Sequence, residues 1–253
     1  MIVSHRHKFI FVHLGRTGGR SLTEALARHC GPRDIITWTS GKVPGQNAAG
    51  FGRHDSAREI RAKVGERVWS EYFKFTFERN PWEKIVSRYW AYASGSGGKA
   101  YKRIWQRVVG QPLSFPAWFR MKVWQGRLLG LGRIRLPAQL RDYTDRGRII
   151  VDFVGRVENR AAHVALLSKR LGIEIQDDLC HGSEFHQERK PYTELFDPWM
   201  QRVVERVFRR DLALLGYRFG RPAPRDALWI EQGRVCDDLA PHGSTPHLPW
   251  VAA

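Results

Sequence analysis

Residues 8–14 (KFIFVHL) form a short, β-rich apolar run ended by glycines, the pattern of a buried strand. Gly15-Arg16-Thr17-Gly18-Gly19 then turns the chain into a helical stretch over 20–29, stopped by Gly31-Pro32. Residues 40–53 hold Gly41, Pro44, Gly45, Gly50 and Gly52 and read as a mobile loop. Ser56 and Glu59 stand at capping-box spacing and open a helix to about Val64. In 72–77 (YFKFTF) aromatics alternate with polar residues, which marks a second core strand. Pro81 suits the first turn of a helix that continues over 82–93.

Residues 94–98 (SGSGG) break the pattern, and 101–109 and 115–124 read as short aromatic-rich helices. A basic Gly/Leu loop over 126–136 leads to a third strand, 148–154 (RIIVDFV), and a helix over 160–171. Asp197-Pro198 caps a last long helix, whose Met200, Val203, Val204, Val207 and Phe208 make one apolar stripe closed by Gly216. Beyond Gly220 the chain is Pro-rich and aperiodic. Residues 1–220 therefore read as one domain and 221–253 as a tail that lies on the body or is disordered. Strand and helix alternate through most of the first 175 residues, which predicts an α/β fold: a mostly parallel sheet with helices on both faces.

With 42% apolar and 26% charged residues, the 253-residue chain has a globular rather than a disordered balance. The formal net charge is +17, which favours an anionic partner: nucleic acid, a membrane surface or a polyanionic small ligand. The three cysteines (Cys30, Cys180, Cys236) include no CxxC pair, so a reducing, cytoplasmic setting fits best and a zinc site does not. No apolar run approaches the ~20 residues that span a bilayer.

A strand, a glycine-rich turn and a helix N-terminus make an anion site from backbone N–H groups and the helix dipole. Here Arg16, Arg20 and Ser21 add charge and a hydroxyl. The turn is not a Walker A loop: only three residues separate Gly15 from Gly19, and Arg20 stands where the Lys would be. A second strand-to-helix junction, 75–82 (FTFERNPW), puts Arg79 at a strand end and Ser87 two turns into the next helix. Taken singly, Arg79 also fits a surface ion pair and Ser87 a solvent-facing helix position.

The segment HLGRTGGRSL (13–22) resembles the 5′-phosphosulfate loop of sulfotransferases that use 3′-phosphoadenosine 5′-phosphosulfate (PAPS). The nearest likeness is to the branch of heparan 2-O-sulfotransferases and bacterial relatives, where the loop usually reads H-I-P-K-T-G-G-T-S. FERNPWEKIVSRYW (77–90) is similar to that family's 3′-phosphate motif, with Arg79 and Ser87 eight apart. VDFVGRVEN (151–159) resembles its later strand and turn, and 189–219 its closing helix. Gly15 stands for the usual Pro, Arg16 for the usual Lys and Arg20 for the usual Thr.

The resemblance implies a three-layer, P-loop-like fold that binds PAPS and its product without a metal. Arg16, Thr17, Gly18, Gly19, Arg20, Ser21 and Leu22 would hold the 5′-phosphosulfate, with Arg16 on the transferred group. Arg79 and Ser87 would hold the 3′-phosphate, and Arg189 and Lys190 would clamp the nucleotide. His54, just before the capped helix, corresponds in position to the family's catalytic base, and also fits an ordinary loop histidine. His13 reads as a buried strand-end residue, while His181 and His186 flank the loop before Arg189. The acceptor would be a hydroxyl, with a carbohydrate or glycolipid favoured by the Trp90, Tyr92, Trp105 and Trp118 aromatics, which core packing also explains.

Two readings share the fold: a P-loop kinase-like nucleotide enzyme, and a PAPS-binding homologue that no longer catalyses. A basic nucleic-acid-binding module accounts for the charge but for neither the Gly-Gly loop nor the Arg79/Ser87 spacing.

Overall fold

The computed structural model describes residues 1–37, 44–94, 112–128, 140–177, 190–231 and 234–235. Among the described residues seven strands form one sheet: β1 (Ile2–Ser4), β2 (Phe9–Phe11), β3 (Ile35–Ile36), β4 (Phe73–Glu78), β7 (Phe153–Arg156), β8 (Leu228–Glu231) and β9 (Arg234–Val235). A separate hairpin joins β5 (Thr144–Asp145) to β6 (Arg148–Ile149). The sheet order is β3-β1-β2-β4-β7-β8-β9. Its centre, β2-β4-β7, is parallel, while β1 and β8 run against their neighbours. Most strands thus point one way, as the alternation of elements predicts.

The two-residue period of each strand divides the core between the two faces. Phe9 and Phe11 of β2 pack with Phe75 and Phe77 of β4, against Leu22 and Leu26 of α1 (Gly19–Ala27) and Val164 and Leu167 of α6 (Arg160–Leu171). Ile10 and Val12 belong to the other cluster. That cluster takes Ile60 from α2 (Ala57–Val64), Trp69 from α3 (Glu66–Glu71) and Ile85 from α4 (Pro81–Ala93). It also takes Phe119 from α5 (Phe115–Leu128), Val204 from α7 (Pro198–Val207) and Leu215 from α8 (Arg209–Leu215). Each fully buried Phe or Leu contributes roughly 1.5–3 kcal/mol of transfer free energy.

In β4 the polar residues are buried along with the aromatics, so each needs a partner. Thr76 donates to the Val12 carbonyl at 2.8 Å. Lys74 pairs with Asp152 at 2.9 Å, and Glu78 with Lys84 of α4. The capping box at Ser56 and Glu59 forms with both reciprocal bonds. Asn80 caps α4 ahead of Pro81, accepting from the Trp82 N–H at 3.0 Å.

Four sequence expectations change. The strand expected over 148–154 is divided: Arg146 and Gly147 both have positive φ (47° and 81°), a tight turn that folds Arg148–Ile149 back on Thr144–Asp145. Only from Phe153 does the chain enter the main sheet. The long helix after Asp197 is two, broken at Phe208 (φ −99°, ψ 17°), with Gly216 closing the second. Past Gly220, Leu228–Glu231 adds an antiparallel strand to β7, where Trp229 meets the Phe153 ring edge-on at 4.8 Å and Ile230 is buried. The expected helix over 101–109 lies outside the described residues, as does 129–136 of the expected loop, while 126–128 continue α5.

Candidate functional site

The C-terminal ends of the three parallel strands open onto one edge of the sheet, where open α/β sheets bind ligands. From β2 the chain enters Leu14-Gly15-Arg16-Thr17-Gly18 and then α1. From β4 it enters Arg79, Asn80 and α4, and from β7 a short turn and α6. The loop is wound by positive φ at Arg16 and Gly18, both 69°. Gly18 sits at the helix N-cap with no side-chain cap, leaving the first N–H groups of α1 to other acceptors. The two glycines are needed for space as well. A Cβ on Gly19 would lie 2.1 Å from the His13 ring, and one on Gly18 would lie 2.6 Å from Arg160 Nη1.

Side chains of the loop face in different directions. Thr17 is buried and donates to the Leu14 carbonyl at 3.0 Å, so its hydroxyl braces the turn. Ser21 donates to the Gly18 carbonyl at 3.0 Å and accepts from Arg160 at 3.0 Å. Leu22 has its side chain wholly in the core, leaving only its backbone near the loop. Arg20 and Arg16 are exposed. The Arg16 fork reaches across to α4, where Nη2 donates to the Ser87 carbonyl at 2.7 Å and to its Oγ at 2.9 Å. Two sequence motifs 71 residues apart thus share one opening.

At the end of β4 the backbone is fixed by carboxylates. The Arg79 N–H donates to Glu78, and the Asn80 N–H donates to Glu158 at 2.7 Å. Glu158 also accepts from the Tyr217 hydroxyl at 2.7 Å, which ties the turn after β7 to the segment after α8. The Arg79 guanidinium donates to Glu83 one turn on, with Nη2 at 2.7 Å. It is the ion pair that its sequence context also allowed.

A model of the sulfotransferase family matches residues 1–218. The chain belongs to this family. An uncharacterized protein of Archaeoglobus fulgidus is 33% identical over 120 residues, which are 47% of this chain and 84% of that protein. No solved structure matches. Membership in the sulfotransferase family sets sulfuryl transfer as the activity class and a nucleotide sulfate donor with a hydroxyl acceptor as the substrates. Among the described residues no helix is long and apolar enough to cross a membrane.

A sulfotransferase needs a group to take the acceptor proton, and His54 lies beside the loop. It lies just ahead of the Ser56 cap of α2, with part of its ring open to solvent and its Nδ1 edge against the protein. Its Nδ1 is 2.8 Å from the His13 carbonyl. A carbonyl only accepts, so Nδ1 carries the proton and Nε2 keeps its lone pair. Desolvation lowers the His54 pKa from its ordinary value against the opposing pull of the bond to the His13 carbonyl, and the nearby amino terminus and Arg53 add to the lowering. The His13 ring stands edge-on to it at 4.8 Å, between His54 and Gly19. Burial holds His13 well below its ordinary value, hence neutral.

Lys190 is exposed, and Arg189, His181, His186 and Trp105 lie outside the described residues. Of the aromatics, Trp118 is a core residue, stacked on Phe115 and tilted against Tyr89 and Tyr92, and Trp90 and Tyr92 are partly buried. Three residues here escaped the sequence reading. Arg160 and Asp177 lie under the loop, with no local pattern to mark them. Glu83 was findable, being four residues after Arg79 on one helix face.

Proposed function

We propose that this sulfotransferase moves the sulfuryl group of PAPS to a hydroxyl of a carbohydrate or glycolipid acceptor by one in-line displacement, on a three-layer, P-loop-like framework. The acceptor oxygen bonds to sulfur as the bond from sulfur to the bridging phosphate oxygen breaks. The acceptor proton passes to His54 Nε2, and adenosine 3′,5′-bisphosphate leaves. The N–H groups of Gly18, Gly19, Arg20 and Ser21 hold the 5′-phosphosulfate at the helix start, with Thr17 bracing the turn; the Leu22 N–H instead closes the first turn of α1 on the Gly18 carbonyl. Arg16 stabilises charge on the transferred group and the bridging oxygen. Arg79 and Ser87 bind the 3′-phosphate, which a donor without that dianion would not require. Arg189 and Lys190 close over the nucleotide.

The observation that carries this reading is the contact of Arg16, in the loop after β2, with Ser87 of α4, which supports one nucleotide site built from both segments. The bound Nδ1 of His54 supports the base role. The test is incubation with sulfur-labelled PAPS and a panel of hydroxylated sugars and glycolipids. Label in an acceptor with matching release of adenosine 3′,5′-bisphosphate is the expected result. Turnover of ATP with Mg²⁺ and none of PAPS would overturn the reading in favour of a kinase-like enzyme.

A further inference from the structure

Among the side chains that hold the loop from behind, Arg160 makes the most hydrogen bonds to it. Arg160, the first residue of α6, is 2% exposed. Its Nη1 donates to the Thr17 carbonyl at 3.3 Å, and its Nη2 to the Gly18 carbonyl and to Ser21 Oγ, both at 3.0 Å. Nε pairs with Asp177, whose side chain is also buried, and the guanidinium lies over the Phe77 ring of β4. A cation at the first position of a helix opposes the helix dipole, so the local sequence does not favour it there. Asp177 offsets that charge.

The consequence follows from peptide geometry. A trans peptide is planar, so the carbonyl of one residue and the N–H of the next point in opposite directions. Drawing the Thr17 and Gly18 carbonyls onto the guanidinium turns the N–H groups of Gly18 and Gly19 away from it. Gly18 has no Cβ to block the approach, which comes within 2.6 Å of where one would be. We propose that Arg160 is a positioning residue for the 5′-phosphosulfate: it fixes the two glycine peptides so that their N–H groups are presented to the anion. Buried and paired with Asp177, it acts through the loop and does not itself touch the nucleotide. The inference rests on the donor reading above.

The test compares adenosine 3′,5′-bisphosphate with adenosine 3′-phosphate, which lacks the 5′ group, by calorimetric titration of wild type and Arg160→Met, with thermal unfolding alongside. Wild type prefers the bisphosphate. Arg160→Met weakens the bisphosphate by about tenfold, near the worth of one hydrogen bond to a charged group, and leaves adenosine 3′-phosphate unchanged. Arg160→Lys keeps the charge without the fork and gives the same selective loss if the Met variant does not fold. Equal loss for both ligands, or loss for neither, overturns the role of Arg160. A wild type that does not prefer the bisphosphate overturns the donor reading instead.

Discussion

The loop after β2 and the first turns of α4 face one opening but are held in different ways. The loop is held by backbone conformation and by groups behind it: His13 against Gly19, Arg160 on two carbonyls, Thr17 on Leu14. Its donors are main-chain N–H groups that cannot rotate to another partner. The α4 side presents side chains already engaged with the protein, Arg79 with Glu83 and Ser87 with Arg16. On the proposed reading, a nucleotide would meet a ready cradle on one side and would have to exchange partners on the other. Variants on the loop side should therefore remove function, whereas variants on the α4 side should tune affinity in either direction.

The largest effect is expected at His54, which is tied to the loop side through the His13 carbonyl. His54→Ala should lower kcat by ~10²–10⁴-fold and leave bisphosphate affinity unchanged, as read by steady-state rates and titration. Burial lowers its pKa, and a base at this position would act as the neutral imidazole. The rate attributable to this group should thus stay level as pH falls through neutrality and drop only below the ordinary histidine value of about 6.5. A drop already under way above that value would contradict the assignment.

Next comes Gly19→Ala. Its Cβ would meet the His13 ring at 2.1 Å, and the His13 side chain is itself buried, with little room to give way. Overpacking of this kind costs about 1–3 kcal/mol of stability. Bisphosphate affinity should fall by ~100-fold or more, about 2.7 kcal/mol. An unchanged affinity would mean that the loop is more yielding than its packing implies.

On the α4 side, Arg79→Met should weaken adenosine 3′,5′-bisphosphate by roughly 10- to 100-fold, the loss of hydrogen bonds between charged groups. Nucleotides that carry only a 5′-phosphate should bind as before. The smallest effect sharpens the contrast most. Glu83→Gln frees Arg79 from a partly exposed pair worth up to about 1 kcal/mol, so bisphosphate binding should tighten by about two- to fivefold. Weaker binding would show that Glu83 orients Arg79 for the ligand and does not compete for it.

The same division explains what the sequence revealed. β4, α4, α6 and the Ser56 capping box follow from local pattern, and so does the loop, because its close neighbours leave no room for a Cβ at Gly18 or Gly19. β1, three residues long, and β8, in a Pro-rich stretch, carry too little periodicity to stand out; pairing with β2 and β7 makes them strands. Arg160 is 143 residues from Thr17, and its role arises from the sheet bringing β7 beside β4. His54 was legible as a position before a helix, but its tautomer depends on a carbonyl 41 residues away. Sequence thus marked the backbone-built half of the site and named Arg79 and Ser87 of the other half, without the partners that occupy them.

The most direct test of a two-phosphate nucleotide site is calorimetric titration with adenosine 3′,5′-bisphosphate beside ADP and ATP with Mg²⁺. Tight, metal-independent binding of the bisphosphate alone is the result expected. Preference for ATP with Mg²⁺, or binding of none of them, would contradict the account.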